Sequence, residues 1–394
     1  MSGTPGKAPA GRAGTKKARQ YTVPRLRKHL HVVWTKVGRE GASFLLMTCD
    51  AVASAAFRRQ CTAPVGAGLP AIGRKAPWKT LNRMRNLTMP ELCVGERQWA
   101  VPSGSNLLDA LNEAGLDVPY SCRAGSCHAC LVRCLDGQPV DARPEALSAA
   151  QRDEGWRLAC QCSVAGDLRV ALFDPLQDGL PATVVALDWF GDVLRLRLRP
   201  GRTLRYQAGQ HLVLWCGDVA RPYSLASMPG EDEALEFHLD CSRPGAFCDR
   251  ARQLHVGDAL RLGELRGGAL HYDPDWQARP LWLLAAGTGL APLWGILREA
   301  LRQGHQGEIR LLHVARTPAG HYLAEALQAL EGVSVELVLA EQLDEALAGL
   351  RLASRQTMAL LCGAPTSVER FARRLFIAGV PRNQVLADVF TEHA

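Results

Sequence analysis

Four cysteines constrain this chain more than any other feature. In YSCRAGSCHACLVRC, Cys122, Cys127 and Cys130 follow the pattern C-x4-C-x2-C, and Cys160 follows after 29 intervening residues. Three thiolates on one tight loop can wrap one side of a metal cluster if the backbone turns its amides toward the sulfurs. Gly125 and the small Ser126 permit that approach, and Arg123 adds positive charge beside an anionic centre. Cys160 then arrives in the segment RLACQC and closes the site. The spacing is one used for 2Fe–2S clusters. Tetrahedral zinc is the alternative, but zinc ribbons usually pair two CxxC knuckles and only one exists here. Cys134 and Cys162 flank the site without a ligand spacing. His128 is read as a solvated side chain, because a Rieske-type centre requires two histidines. Thirteen cysteines in 394 residues exceed what a core-forming chain of this length needs for stapling. They point to metal or redox work in a reducing compartment, so a cytoplasmic location is expected.

The formal net charge of +7 hides a split. Residues 1–88 carry 17 Lys and Arg against two acids, Glu40 and Asp50, and every lysine of the chain lies at or before Lys79. This leader has no sustained periodicity, and its best apolar stretch, Gly41 to Phe57, is short and interrupted by Asp50, a poor membrane span. A disordered leader and a targeting or binding arm are both readings of such a composition. The favoured reading is a start of translation at Met89 (or Met84), since MPELCVGERQWAVPSG reads as the first hairpin of a domain.

From residue 89 the chain resembles a plant-type ferredoxin domain as far as residue 175. That resemblance implies Cys122, Cys127, Cys130 and Cys160 as the cluster ligands. Its surface is acidic, with 7 basic against 13 acidic groups over residues 89–178, a balance that suits either electrostatic steering of a basic partner or ordinary solubility.

After a Pro/Gly/Asp-rich link, VLRLRLR (Val193 to Arg199) alternates strictly and predicts a half-buried antiparallel strand with its arginines on a solvated face. YQAGQHLVLW and RPYSLAS follow. Four residues alone are weak evidence, but at this distance after the GQ strand they resemble the flavin signature of the ferredoxin–NADP reductase superfamily. The resemblance implies that Arg221, beside Pro222, meets a pyrophosphate, that Tyr223 lies on the isoalloxazine ring, and that Ser224 hydrogen-bonds near flavin N5. Downstream, DCSRPGAFCDRARQLHVGD resembles the family's turn that opens a helix toward the FAD pyrophosphate. Gly245, Phe247 and Cys248 fall on it. Cys248 stands where the family usually has Ser, so its side chain is read as a small buried filler.

Residues 280–297 carry no charged side chain, yet LWLLAAGTGLAPLWGILREAL reads as a buried strand, a glycine turn and a helix starting near Pro292, not a membrane span. Gly287, Thr288 and Gly289 resemble the superfamily's GGTGxAP loop, with Ala286 for the first glycine. Strands and helices alternate after it, ending in LLCGAPTSVERFARRL. Its CGAP resembles the family's CGPP turn, which implies Cys362 and Gly363 beside the nicotinamide and Phe390 as the C-terminal aromatic near the flavin. NADPH-using relatives place a Ser-Arg pair after the strand matching VELVLA; here Ala340 and Glu341 stand, and a carboxylate repels a 2′-phosphate. Arg316 argues the other way. NADH is favoured over NADPH.

The expected fold is multidomain, α+β and α/β: a basic leader over 1–88, a β-grasp 2Fe–2S ferredoxin domain over 89–175, an antiparallel FAD-binding β-barrel over 181–276 and a parallel-sheet NAD(P)H-binding domain over 277–394. The order resembles the reductases of multicomponent oxygenases, such as benzoate dioxygenase reductase, and also the CDP-6-deoxyglucoseen reductase branch. The resemblance implies an electron-transfer flavoprotein that passes electrons from NAD(P)H through FAD and a 2Fe–2S cluster to a protein acceptor, an oxygenase component first. Nucleic acid and membrane are not expected partners. Ser224, Cys362 and Phe390 are the residues it implies at the reacting flavin. Deoxysugar synthesis is the alternative setting, and a redox-sensing or carrier module without turnover is the alternative class.

Overall fold

The computed structural model describes residues 30–36, 43–49, 89–352 and 354–390. The chain divides into two units, Met1–Asn82 and Arg83–Ala394. In the first, β1 (Leu30–Lys36) and β2 (Ser43–Cys49) form an antiparallel pair in continuous register. The rest of the leader, residues 1–29, 37–42 and 50–88, on which the readings of a disordered or targeting arm and of a start at Met84 fall, lies outside the described residues.

The second unit opens with β3 (Glu91–Val94) and β4 (Arg97–Ala100), the hairpin the sequence suggested. Next comes α1 (Leu107–Glu113), N-capped by Asn106, whose Oδ1 accepts from the Asp109 amide at 3.3 Å. Leu107, Leu108 and Leu111 are fully buried under the sheet, each contributing roughly 1.5–3 kcal/mol. β5 (Leu131–Asp136), β6 (Val140–Asp141), α2 (Ala149–Asp153), β7 (Trp156–Leu158), β8 (Cys162–Ser163) and β9 (Leu168–Leu172) complete the layer. The strand order is β4-β3-β9-β5-β7, with β3 and β9 parallel and the other pairs antiparallel. A mixed sheet grasping one helix is the β-grasp arrangement.

The next sheet is antiparallel throughout, in the order β13-β12-β15-β10-β11-β14. It is built from β10 (Leu180–Phe190), β11 (Val193–Pro200), β12 (His211–Cys216), β13 (Val219–Ser224), β14 (Leu235–Asp240) and β15 (Ala259–Arg266), with the short helix α3 (Ala246–Ala251) after β14. A bridge between Leu225 and Phe237 joins the two edge strands and curls the sheet toward closure. The alternation in β11 has its expected consequence. Leu194, Leu196 and Leu198 are fully buried, while Arg195 and Arg197 face outward and share Asp188 at 2.9 and 2.8 Å.

The last sheet is parallel, in the order β18-β17-β16-β19-β20: β16 (Leu281–Ala286), β17 (Ile309–Ala315), β18 (Val333–Leu339), β19 (Met358–Gly363) and β20 (Val385–Val389). Helices α4 (Leu290–Arg302), α5 (Ala324–Gln328), α6 (Leu343–Gly349) and α7 (Pro365–Ala378) connect the strands. Along β16, Leu281, Leu283 and Ala285 pack with α4 on one face, and Trp282 and Leu284 pack with α7 on the other. Both faces are covered, so the strand is apolar without alternation. The helix expected near Pro292 begins two residues earlier at Leu290, because the 3-10 turn Gly287–Gly289 runs directly into it. Pro292 then sits in the first turn, where its missing N–H costs nothing.

Candidate electron-transfer site

The cluster loop is built by backbone conformations that few residues adopt. Arg123, Gly125 and His128 have φ of 49°, 79° and 56°, and these reversals aim successive amides inward. The amides of Ala124, Ser126 and Cys127 all donate to Cys122 Sγ at 3.3 Å. The Cys122 amide donates to Cys127 Sγ and the Cys160 amide to Cys130 Sγ, both at 3.5 Å. Gln161 Nε2 donates to Cys160 Sγ at 3.2 Å and to the Arg123 carbonyl at 2.9 Å. Asn106, besides capping α1, donates to the Cys160 carbonyl at 2.9 Å and fixes the distant fourth cysteine to the sheet. Arg123 stacks 4.5 Å over Tyr120 and pairs with Asp109 at 2.9 Å.

The four thiols come as two hydrogen-bonded pairs, Cys122 with Cys127 and Cys130 with Cys160. The Cys127 contact, opposed by burial and aided by the loop amides, draws the Cys122 thiol down to about 4. The Cys130 contact draws Cys160 down to about 7, while Cys127 and Cys130 are pushed up, first by those same partners and then by burial. Among the described residues no three His, Cys, Asp or Glu side chains converge on one ion position. Two pairs suit two irons with two thiolates each. Inward amides are also the donors that an anionic cluster needs.

His128 is not solvated as its sequence setting suggested. It is 6% exposed, and its Nδ1 donates to Glu264 at 3.3 Å. The cause is a packing contact across 136 positions: the cluster loop lies on the outer surface of the antiparallel barrel. Cys127 and Ala129 are buried against Val213, Trp215 and Ala220. Phe173 stacks on Trp215 with ring centroids 5.4 Å apart. Glu264 on β15 also accepts from Gln151 and pairs with Arg266 at 2.5 Å, and Arg266 donates to Gln151 at 3.1 Å. Burial pushes the Glu264 carboxyl up, but the hydrogen bonds of His128 and Arg266 outweigh it and hold it below the usual carboxylate range.

On the barrel, Arg221, Pro222, Tyr223 and Ser224 end β13. Tyr223 packs against Phe247 at 5.2 Å between centroids, and burial pushes its phenol far up. Arg221 Nη1 donates to the Ala220 carbonyl. Gly245 precedes α3, and a Cβ there would meet nothing within 4 Å, so open space lies beside the turn. Phe247 is buried. Cys248 is half-buried rather than a buried filler, and its thiol donates to the Asp240 carbonyl at 3.4 Å. Ser224 is buried directly across the strand pair from His211. His211 is itself 8% exposed, and both its ring nitrogens are buried without a hydrogen-bond partner. Burial lowers its pKa, while Asp388 and Ser126 act on it in the opposite direction. His211 thus stands between the cluster loop and β20, on the strand beside Ser224.

The two nicotinamide motifs, far apart in sequence, meet at the ends of neighbouring strands. A Cβ on Gly289 would fall 2.3 Å from the Cys362 carbonyl, and one on Gly363 would fall 2.8 Å from Ala286. Gly287 has φ of 56°, and its carbonyl lies 3.1 Å from the buried His313 Nε2. Thr288 lies between the two glycines in the same turn. Strand order reverses between β16 and β19, so this is the crevice at which open α/β sheets take their ligands. Cys362 is fully buried and burial pushes its thiol far up. The Phe390 amide donates to the Gly363 carbonyl at 2.9 Å. Arg316 follows β17 at the end adjacent to the β18 turn. It pairs with Asp240 at 3.0 Å and donates to Ser242 at 2.7 Å, across to the barrel. Glu341 lies exposed in the turn after β18.

Asn106, Gln161, His211, Glu264 and His313 were not singled out in the sequence. No spacing marks them. The one signal was type and place: a histidine inside GQHLVL and another inside IRLLHVAR stand in otherwise apolar strands.

Comparison with known proteins agrees with this geometry. Residues 93–165 match the model of the 2Fe-2S iron-sulfur cluster binding domain, and residues 283–345 that of the oxidoreductase NAD-binding domain. The chain is 34% identical over 240 residues to reductase component 1 of terephthalate 1,2-dioxygenase from Comamonas sp, covering 57% of this chain and 69% of that one. It is 31% identical over 335 residues to the ferredoxin–NAD(P)+ reductase component of the naphthalene 1,2-dioxygenase system of Pseudomonas putida, covering 76% and 98%. A solved ferredoxin reductase in carbazole 1,9a-dioxygenase shares the fold, with a TM-score of 0.53, 24% identity and coverage of 77% and 98%. A β-grasp cluster domain, a flavin-type barrel and a switch-point nucleotide sheet in one chain define an NAD(P)H-dependent oxidoreductase. The chain belongs to the flavin/2Fe–2S reductases of the ferredoxin–NADP reductase superfamily.

Proposed function

We propose that this protein takes electrons from NADH and delivers them singly to the terminal component of a multicomponent oxygenase. The acceptor is inferred from the relatives, which are named as reductase components of such systems. When bound, FAD accepts an electron pair and the 2Fe–2S cluster carries one electron at a time. Cys122, Cys127, Cys130 and Cys160 would hold the cluster. Arg221, Pro222, Tyr223 and Ser224 would hold the flavin ring and its phosphates together with Gly245, Phe247 and Cys248. Gly287, Thr288, Gly289 and Gly363 would receive the nucleotide, with Cys362 and Phe390 at the nicotinamide–flavin contact.

The observation that carries the reading is the packing of Cys127 and Ala129 onto the strands β12 and β13, the second of which ends in RPYS. It puts the candidate cluster loop on the same strands as the flavin motif, with Trp215, Phe173 and the Glu264 contacts packed around the junction. The division into 1–88, 89–175, 181–276 and 277–394 belongs to the same proposal. NADH is favoured because the exposed Glu341 follows β18, the strand after which NADPH-using relatives carry a Ser-Arg pair, and Arg316 is engaged with Asp240 and Ser242. No helix among the described residues is long and apolar enough to cross a membrane. The thirteen cysteines, too many for a chain of this length to need as staples and read as metal or redox work, support a cytoplasmic location.

Anaerobic titration with NADH, followed through the visible spectrum, tests this. Uptake of about three electrons per chain, two at flavin and one at the cluster, is expected. Bleaching of flavin alone would disconnect the cluster domain, and a colourless purified protein would defeat the reading.

A further inference from the structure

Cys241 and Cys248 lie outside the cluster site, and nothing assigned above uses them as a pair. Cys241 follows β14 directly and is fully buried in the barrel core. Cys248 stands on the first turn of α3, half-buried. Cys248 packs against the core cluster that contains Cys241, and its thiol reaches the carbonyl of Asp240, the residue before Cys241, at 3.4 Å. Both flanks are held. Arg316 grips Asp240 and Ser242 on either side of Cys241, Arg252 donates to the Cys241 carbonyl, and Phe247 is buried against Tyr223.

We propose that Cys241 and Cys248 are a reversible thiol–disulfide pair, closed by a disulfide oxidant such as oxidised glutathione, and that closure weakens flavin binding at the turn between them. The second half rests on the flavin reading above. The chemistry is asymmetric in the required way. The Cys241 contact, opposed by burial and aided by Arg252, draws Cys248 down to about 7, while Cys241 is pushed up by that contact and by burial. The accessible Cys248 thiolate attacks oxidised glutathione, forming a mixed disulfide and releasing one glutathione thiolate. The Cys241 thiol, losing its proton, then displaces the second glutathione. Two protein thiols and one glutathione disulfide become one protein disulfide and two glutathione thiols. The Cys248 sulfur already lies 3.4 Å from the carbonyl next to Cys241, and closure brings the two sulfurs to a bond of about 2.05 Å. The ring so formed encloses SRPGAF, the segment with Gly245 and Phe247, and takes the Cys248 thiol away as a donor.

The holoprotein, equilibrated with oxidised or reduced glutathione, is alkylated and digested with trypsin. Arg221 and Arg243 precede prolines and resist cleavage, so Tyr206–Arg250 carries Cys216, Cys241 and Cys248 on one peptide. Expected after oxidation is a peptide alkylated at Cys216 alone, its other two thiols joined with a loss of about 2 Da, and restored by dithiothreitol. Retention of FAD should fall roughly fivefold, the order of one lost hydrogen bond. In Cys241→Ala, Cys248 should be recovered alkylated or joined to glutathione, and oxidation should no longer alter FAD retention. Full alkylation of both cysteines in oxidised wild-type protein overturns the pair. A disulfide that forms without changing FAD retention overturns the coupling. A protein that carries no flavin at all defeats the flavin reading, and the peptide map still decides the pair.

Discussion

Glu341 and Cys160 each let one side chain be tested against one chemical group. Glu341 follows β18 with its carboxylate exposed, so Glu341→Ser removes a charge and leaves the turn. A carboxylate some 4 Å from a phosphate in water costs about 1 kcal/mol for each phosphate charge. The substitution should therefore raise kcat/KM for NADPH roughly tenfold while that for NADH changes little, and steady-state kinetics with both nucleotides will read it. An unchanged ratio would remove Glu341 from the nucleotide site. Cys160 is the only one of the four candidate ligands outside the loop, and it is half-buried, so serine fits in its place. Cys160→Ser should lower bound iron from about two per chain to near zero while flavin stays bound, measured by iron assay and visible absorbance. Retention of both irons would require another ligand. The four cysteines were legible because one loop encodes three of them by spacing. Glu264 and His211 were not, because their roles arise from contacts across the fold that no local pattern announces.

At the scale of elements, the strand-to-helix turns form the candidate nucleotide site, and the fit of Gly289 leaves no room for a methyl group. Gly289→Ala would thrust its Cβ to 2.3 Å from the Cys362 carbonyl and 2.7 Å from the Gly363 amide. Backbone on both sides leaves little that can move, so a cost of about 1–3 kcal/mol is expected, with a raised KM for NADH. Urea denaturation reads the first and steady-state kinetics the second; an unshifted midpoint would mean that the turn relaxes freely. Periodicity made most elements legible. The leucines of β11 fall on one face, and β16 is apolar throughout because helices cover both its faces. The start of α4 was misjudged by two residues because Pro292 reads as a first helical residue, whereas the glycine turn already begins the coil. The burial of His128 was missed for a different reason: the face that covers it belongs to another sheet.

For the molecule as a whole, the question is what keeps the candidate cluster loop on the barrel. The apolar contact of Phe173 with Trp215 is insensitive to pH, so the polar side of the junction, gathered at Glu264, offers the sharper probe. Its carboxylate accepts from His128 and Gln151 and pairs with Arg266. Glu264→Gln keeps the shape but loses the charge, at about 1.5–3 kcal/mol for hydrogen bonds to an ionised group. Because the carboxyl is held below its ordinary range in the folded protein, its stabilisation is complete above the unfolded-state pKa. It fades as pH falls through the lower folded-state value. The stability gap between wild type and Glu264→Gln, measured by urea denaturation at a series of pH values, should therefore be widest near neutrality and narrow in acid. Stopped-flow reduction by NADH adds a functional reading. Flavin bleaching should keep its rate in the variant while cluster bleaching slows by on the order of tenfold, as expected when redox partners lose their alignment. A gap that persists unchanged in acid, with both bleaching rates intact, would mean that the apolar stack alone seats the loop and that Glu264 is a bystander at the junction.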